Sequence, residues 1–287
     1  MRKLLLTATL FLLALGAARP VLGAAGSFDA DGVKIHYVTE GEGEPVVLVH
    51  GFTGSNNFWM TNGLFRELAK EYRVIAIDCR GHGKSDKPHD PAKYGQEMAA
   101  DVVRLLDHLK IKQAHVVGYS MGGFITMKVL CDHPERVLSA TVGGAGGAQP
   151  IDIGVREAIA KSLEEGKGLL PLYERLTPPG RPKPTPEQAQ AIDRVLLANN
   201  DPKALAAVMR GMKAMTVPDA KLAANKVPTQ CIIGADDPLK SGVDYIKDRM
   251  ANLRIIIIPN ADHANAASRP EFLQGVKEFL ARHRQKG

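Results

Sequence analysis

Gly118-Tyr119-Ser120-Met121-Gly122 follows a short apolar run, 114–117, and precedes a helix-like stretch, 123–130. The five residues fit G-x-S-x-G, and the order strand, sharp turn, helix is the context in which a serine becomes an exposed nucleophile. A turn that tight holds the serine in a strained backbone conformation, and glycines on either side leave room for strand and helix to approach. In a chain with 28 glycines a five-residue match carries little alone, so the surrounding elements and the chemical partners must decide it.

Working outward from this turn, short β-like runs alternate with helix-length amphipathic segments. Residues 33–38 and 45–49 read as an opening pair of strands around the turn Gly41-Glu42-Gly43-Glu44. A helix is expected over 58–70, a strand over 72–77, a helix over 96–109, the strand 114–117, a helix over 122–133 and a strand over 137–142. The rhythm then breaks: over 145–226 there is no strand-like run, only helical patches at 155–165, 186–197 and 202–215 and a proline-dense joint, Pro178-Pro179-Gly180-Arg181-Pro182-Lys183-Pro184. It resumes with a strand at 228–233, a helix at 242–250, a strand at 253–258 and a helix at 270–282. Such alternation predicts an α/β fold with a mostly parallel central sheet flanked by helices on both faces. The core is expected in two parts, 24–144 and 227–287, around a helical insertion at 145–226. The run Gly143-Gly144-Ala145-Gly146-Gly147 lacks the Lys-Ser/Thr ending of a phosphate loop and reads as a flexible junction.

The first residues stand apart from the fold. Arg2 and Lys3 precede an uncharged, leucine-rich stretch, 4–18, followed by the small residues Gly23, Ala24 and Ala25. That is the layout of a secretory signal peptide, 1–23, with cleavage after Gly23 or Ala25 and a secreted or periplasmic destination. The apolar run is shorter than the roughly 20 residues a spanning helix needs. The chain holds 37 Lys+Arg and 31 Asp+Glu; loss of Arg2, Lys3 and Arg19 with the signal leaves 34 against 31, a net charge of +3. Without a dense basic run interleaved with aromatics, no nucleic-acid partner is expected. Cys79, Cys131 and Cys231 contain no C-x-x-C pair and read as small buried apolar residues. No H-E-x-x-H or comparable ligand set occurs, and neither a metal nor a cofactor is expected.

A serine hydroxyl needs a base to take its proton, and an imidazole serves best when a carboxylate fixes its tautomer. Asp236 and Asp237 follow one late strand and His263 follows the next, at the sheet edge where open α/β sheets place their sites. The order Ser120, Asp, His is that of this serine-hydrolase architecture. His50, Trp59 and Tyr119 are pocket candidates; His50 reads as shaping a turn by hydrogen bonding, with direct proton transfer as the alternative, Trp59 has a core role as its alternative, and His82 reads as structural.

Four segments now carry a resemblance: His50-Gly51-Phe52, Asp78-Cys79-Arg80-Gly81-His82-Gly83-Lys84-Ser85, the serine turn, and Gly234-Ala235-Asp236-Asp237-Pro238-Leu239. Over 32–282 the chain resembles the α/β-hydrolase superfamily, in its branch with a serine nucleophile and a cap. The resemblance implies Ser120, Asp237 and His263 as the catalytic residues, with Asp237 preferred because the family places the acid three residues after the glycine and before a proline. It also implies the backbone N–H groups of Phe52 and Met121 as oxyanion donors. One departure is the histidine turn Asn260-Ala261-Asp262-His263, which lacks the glycine many relatives carry before the histidine. The expectation is a hydrolase of small carboxylic esters or related acyl compounds acting through an acyl-enzyme. Carbon–carbon bond hydrolysis and cofactor-free perhydrolysis (haloperoxidase chemistry) fit the same residues, and a non-catalytic ligand-binding member of the fold is the alternative of another class.

Overall fold

The apolar runs become the strands of one eight-stranded sheet: β1 (Ala24–Asp29), β2 (Lys34–Glu40), β3 (Pro45–Val49), β4 (Arg73–Ile77), β5 (Ala114–Tyr119), β6 (Val137–Gly143), β7 (Thr229–Gly234) and β8 (Leu253–Ile258). They come from a computed structural model that describes residues 23–149 and 151–285. The strand order is β1-β2-β4-β3-β5-β6-β7-β8, antiparallel between β1, β2 and β4 and parallel from β4 onward.

Alternate side chains of a strand point to opposite faces, and the two hydrophobic clusters divide the sheet in that way. Val47 and Val49 of β3 face the cluster that holds Val102, Leu105 and Leu106 of the helix Gln96–His108 and Phe124 and Ile125 of the helix Met121–Asp132. Val46 and Leu48 face the other, with Leu64, Phe65 and Leu68 of the helix Leu64–Leu68 and Phe272, Val276 and Leu280 of the helix Pro270–Arg282. Helices therefore cover both faces, and every residue of β5 is buried. Burial of each such aliphatic side chain contributes about 1.5–3 kcal/mol, so β5 and the turn after it sit on the most firmly held part of the sheet.

Four local expectations are corrected. The strands on either side of Gly41-Glu42-Gly43-Glu44 do not pair, because β4 lies between β2 and β3. The chain leaves β3, crosses over through helices and returns parallel, as a right-handed crossover requires. The expected helix 58–70 is two helices, Asn57–Thr61 and Leu64–Leu68, separated at Gly63, whose φ of +82° no helix admits. The glycine run after β6 is not a flexible junction. A Cβ on Gly143 would lie 2.8 Å from the Tyr119 and Phe272 rings, and one on Gly146 would collide with the Gly242 backbone, so close packing is what calls for glycine there. The strand β1 and the helices Leu170–Leu176 and Asp219–Ala224 went unread, since Ala-Ala-Gly-Ser lacks strand residues and the two helices are only about two turns long.

Between β6 and β7 the described residues form helices and no strand: Ile153–Glu164, Leu170–Leu176, Pro186–Leu196, Pro202–Gly211 and Asp219–Ala224. Leu169, Met209, Met212 and Met215 from this segment are buried in the main cluster, whereas Val195 is exposed. The expected signal segment, 1–23, lies outside the described residues except for Gly23, and β1 starts at the next residue. No helix among the described residues is long and apolar enough to cross a membrane.

Candidate active site

Ser120 sits between β5 and the helix Met121–Asp132 with φ +55° and ψ −116°, a conformation a residue with a side chain rarely adopts. Its N–H donates to Gly143 O at 2.8 Å, and its carbonyl accepts from Gly123 and Phe124 N–H at 2.8 and 3.2 Å, which starts the helix. The flanking glycines are needed for space rather than for their own φ: a Cβ on Gly118 would collide with Gly122 O, and one on Gly122 with Val49 O. The turn thus brings β5, its helix and the end of β3 into backbone contact around the serine.

The turn after β8 brings His263 to Ser120. The Ser120 hydroxyl donates to His263 Nε2 at 2.9 Å, and His263 Nδ1–H donates to Asp237 Oδ2 at 2.9 Å. The other Asp237 oxygen accepts from Leu239 N–H at 2.8 Å, so the carboxylate is held from two sides while 4% exposed. Asp236, the alternative acid, lies apart from the imidazole with its side chain 45% exposed and its carboxylate 3.5 Å from the Arg181 guanidinium. In place of the missing glycine, the Asp262 carboxylate accepts from Ala264 and Asn265 N–H at 3.1 and 3.2 Å and closes the turn by hydrogen bonds. On the far side, Tyr119 O–H donates to His263 O at 2.7 Å.

The expected oxyanion donors lie on the other flank. Gly51 is close enough that a Cβ there would stand 3.2 Å from Ser120 Cβ, which sets the turn carrying Phe52 against the serine. Neither Phe52 nor Met121 N–H has a hydrogen-bond partner among the described residues, and Met121 is the first residue of its helix, where the dipole favours negative charge. His50 is wholly buried and ties this turn down: Nδ1–H donates to Gly51 O at 2.8 Å, and Nε2 accepts from Cys79 N–H at 3.0 Å. Burial lowers its pKa below the ordinary value, which keeps the ring neutral with the proton on Nδ1. His82 packs edge-on against His50 and Phe52, and burial first, then the neighbouring His50, push it down to about 3. Both histidines are therefore buried and neutral, held in place around this turn.

The segment 78–85 is structural throughout. Asp78, 1% exposed, accepts from Asn56 and Lys84 N–H at 2.7 and 3.0 Å and meets His36 at 2.9 Å, and Arg80 makes a bidentate pair with buried Asp101 at 2.6 and 2.7 Å. Trp59 is not a pocket residue: it is fully buried in the cluster under Leu64 and Phe65, beside the Phe58 ring. Tyr119 likewise supports the histidine turn from within the core, and burial raises its phenol well above the usual range. The three thiols are free, and burial pushes Cys131 and Cys231 up to about 12. Sequence reading missed Arg181, which donates to Asp262 Oδ2 at 2.9 Å, and Asn200, which donates to Thr53 O at 2.9 Å. A Pro-Pro-Gly-Arg turn announces Arg181, but nothing local names partners 55 and 81 residues away, the latter separation being that of Asp262.

A family model described as alpha/beta hydrolase fold matches residues 44–157, which hold β3 to β6 and the serine turn. The chain carries the α/β-hydrolase fold. Among curated relatives, the dihydrolipoyllysine-residue acetyltransferase component of an acetoin cleaving system from Cupriavidus necator is 37% identical over 150 residues, 52% of this chain and 39% of that protein. The chain thus spans well under half the length of that relative. 3-Oxoadipate enol-lactonase 2 from Acinetobacter baylyi is 27% identical over 92% of this chain and 99% of its own length. A solved structure described as an N-acyl homoserine lactone degrading enzyme is 29% identical, with a TM-score of 0.67 over 88% of this chain and 100% of that one.

Proposed function

We propose that the protein is a serine hydrolase that cleaves a small carboxylic ester or related acyl substrate through an acyl-enzyme. The observation that carries the reading is the continuous relay from Asp237 through His263 to Ser120, both links at 2.9 Å, on a serine held at φ +55°. As His263 Nε2 takes the hydroxyl proton, Ser120 Oγ attacks the carbonyl. Asp237 stabilises the imidazolium and holds the proton on Nδ1. The oxyanion that develops is met by Phe52 and Met121 N–H, fixed before substrate arrives; losing one such donor typically costs about 3 kcal/mol. His263 then protonates the departing alcohol, and a water deprotonated by the same nitrogen releases the acid. The names of two relatives aligned over nearly their whole length, an enol-lactonase and a lactone-degrading enzyme, support including lactones in the ester class.

On this reading the helices of 145–226 form a cap that sets selectivity. The basic, apolar and small-residue order of 1–23 supports export to the periplasm or medium. The test is turnover of p-nitrophenyl acetate. Ser120→Ala is expected to lower kcat/KM by about 10⁴-fold or more, and retained turnover in the folded variant overturns the assignment.

A further inference from the structure

The proline-dense joint is a feature that the proposed chemistry leaves unused. Arg181 N–H donates to Pro178 O at 3.1 Å across Pro179 and Gly180, and Gly180 takes a φ of +80°. Proline second and a left-handed glycine third make a type II turn, and Pro182 holds the preceding Arg181 to an extended backbone. Arg181 is therefore presented from a preset main chain. Its guanidinium donates to Asp262 Oδ2 at 2.9 Å and lies 3.5 Å from Asp236 Oδ2. Asp262 immediately precedes His263, and Asp236 immediately precedes Asp237. One cation from the helical segment thus joins the two turns at the residues next to the base and the acid.

On the serine-hydrolase reading above, we infer that Arg181 is a positioning residue: by bridging Asp262 and Asp236 it fixes the spacing of His263 and Asp237, and makes turnover depend on the seating of the 145–226 segment. Magnitudes separate this role from a structural one. The side chains of Arg181 and Asp236 are 52% and 45% exposed and that of Asp262 12%, and an ion pair with one partner this open to water adds little to folding. A catalytic group misplaced by about 1 Å, in contrast, loses up to about 10²-fold in rate. Asp262 is the sensitive link, since its Oδ1 closes the histidine turn and its Oδ2 is the oxygen that Arg181 takes. A carboxylate free to swing would loosen the turn that carries His263.

The experiment compares the full chain with Arg181→Met, Arg181→Lys and Ser120→Ala on p-nitrophenyl acetate, with thermal melts of each. Arg181→Met is expected to lower kcat about tenfold while KM stays within about twofold and the melting temperature is unchanged. Arg181→Lys, a point charge able to reach one carboxylate, is expected to recover part of the loss. The inference is overturned if kcat of Arg181→Met stays within about twofold of the parent, if the loss falls on KM, if lysine is no better than methionine, or if activity falls only with melting temperature. Parent-like turnover in Ser120→Ala defeats the hydrolase reading itself, whereas an inactive Ser120→Ala beside parent-like Arg181 variants defeats the positioning role alone.

Discussion

At the residue scale, Ser120 is held where an isolated serine would not stay. Its φ of +55° costs about 1–3 kcal/mol and persists because the backbone on both sides is bonded and packed. The two adjacent aspartates behave oppositely for a reason the geometry gives. Asp237 is buried and accepts from His263, whereas the half-exposed Asp236 carboxylate meets, among the described residues, only Arg181. Asp237→Asn presents an amide to His263 Nδ1 and favours the wrong tautomer, so kcat is expected to fall about 10⁴-fold. Asp236→Asn keeps an amide oxygen that still accepts from the Arg181 guanidinium, and is expected to keep kcat within about threefold. Steady-state kinetics on p-nitrophenyl acetate checks both, and equal losses would contradict the division of roles. Ser120, His263 and the pair Asp236-Asp237 were legible in the sequence because each lies in a short pattern after a strand, and the preference for Asp237 came from the family resemblance. Arg181 and Asn200 were not, because their partners come from turns that only the folded chain brings near.

At the element scale, glycines decide what the strands and helices can do, and they do so by two different means. Gly122 lets the helix Met121–Asp132 start against the carbonyl of Val49, with no room for a Cβ. A Cβ on Gly63 would meet nothing within 4 Å, so this glycine is needed only for its φ of +82°. Gly122→Ala is therefore expected to cost about 3 kcal/mol or more through backbone displacement, and Gly63→Ala about 1 kcal/mol through left-handed strain alone. Urea denaturation of the two variants measures the difference, and comparable losses would contradict the steric argument. The same contrast explains how far the fold could be read. Strands β3 to β8 announced themselves as apolar runs between helices, which fixed the parallel part of the sheet. The insertion of β4 between β2 and β3 was not legible, since pairing partners far apart in the chain leave no local trace. Nor was the rigidity of the glycine run after β6, which comes from the Tyr119 and Phe272 rings packed against it.

At the scale of the whole molecule, the relay is a product of the complete sheet. Ser120 follows β5, Asp237 follows β7 and His263 follows β8, the serine and histidine lying 143 positions apart in the chain and the histidine and acid 26. The segment 145–226 lies within that interval, and the connections between its helices send Arg181 and Asn200 to the turns that carry His263 and Phe52. Parallel strands put all three chemical groups at one edge, and antiparallel β1 and β2 extend the sheet away from it. On the proposed reading, nucleophilicity of Ser120 is a property of the assembled fold and not of the five-residue turn. The direct measurement is mass spectrometry of the folded protein after reaction with a fluorophosphonate at neutral pH. A single adduct on the Ser120 peptide, absent from Ser120→Ala and from urea-unfolded protein, is the expected result. A folded protein that takes no adduct, or takes it at another residue, would contradict the account.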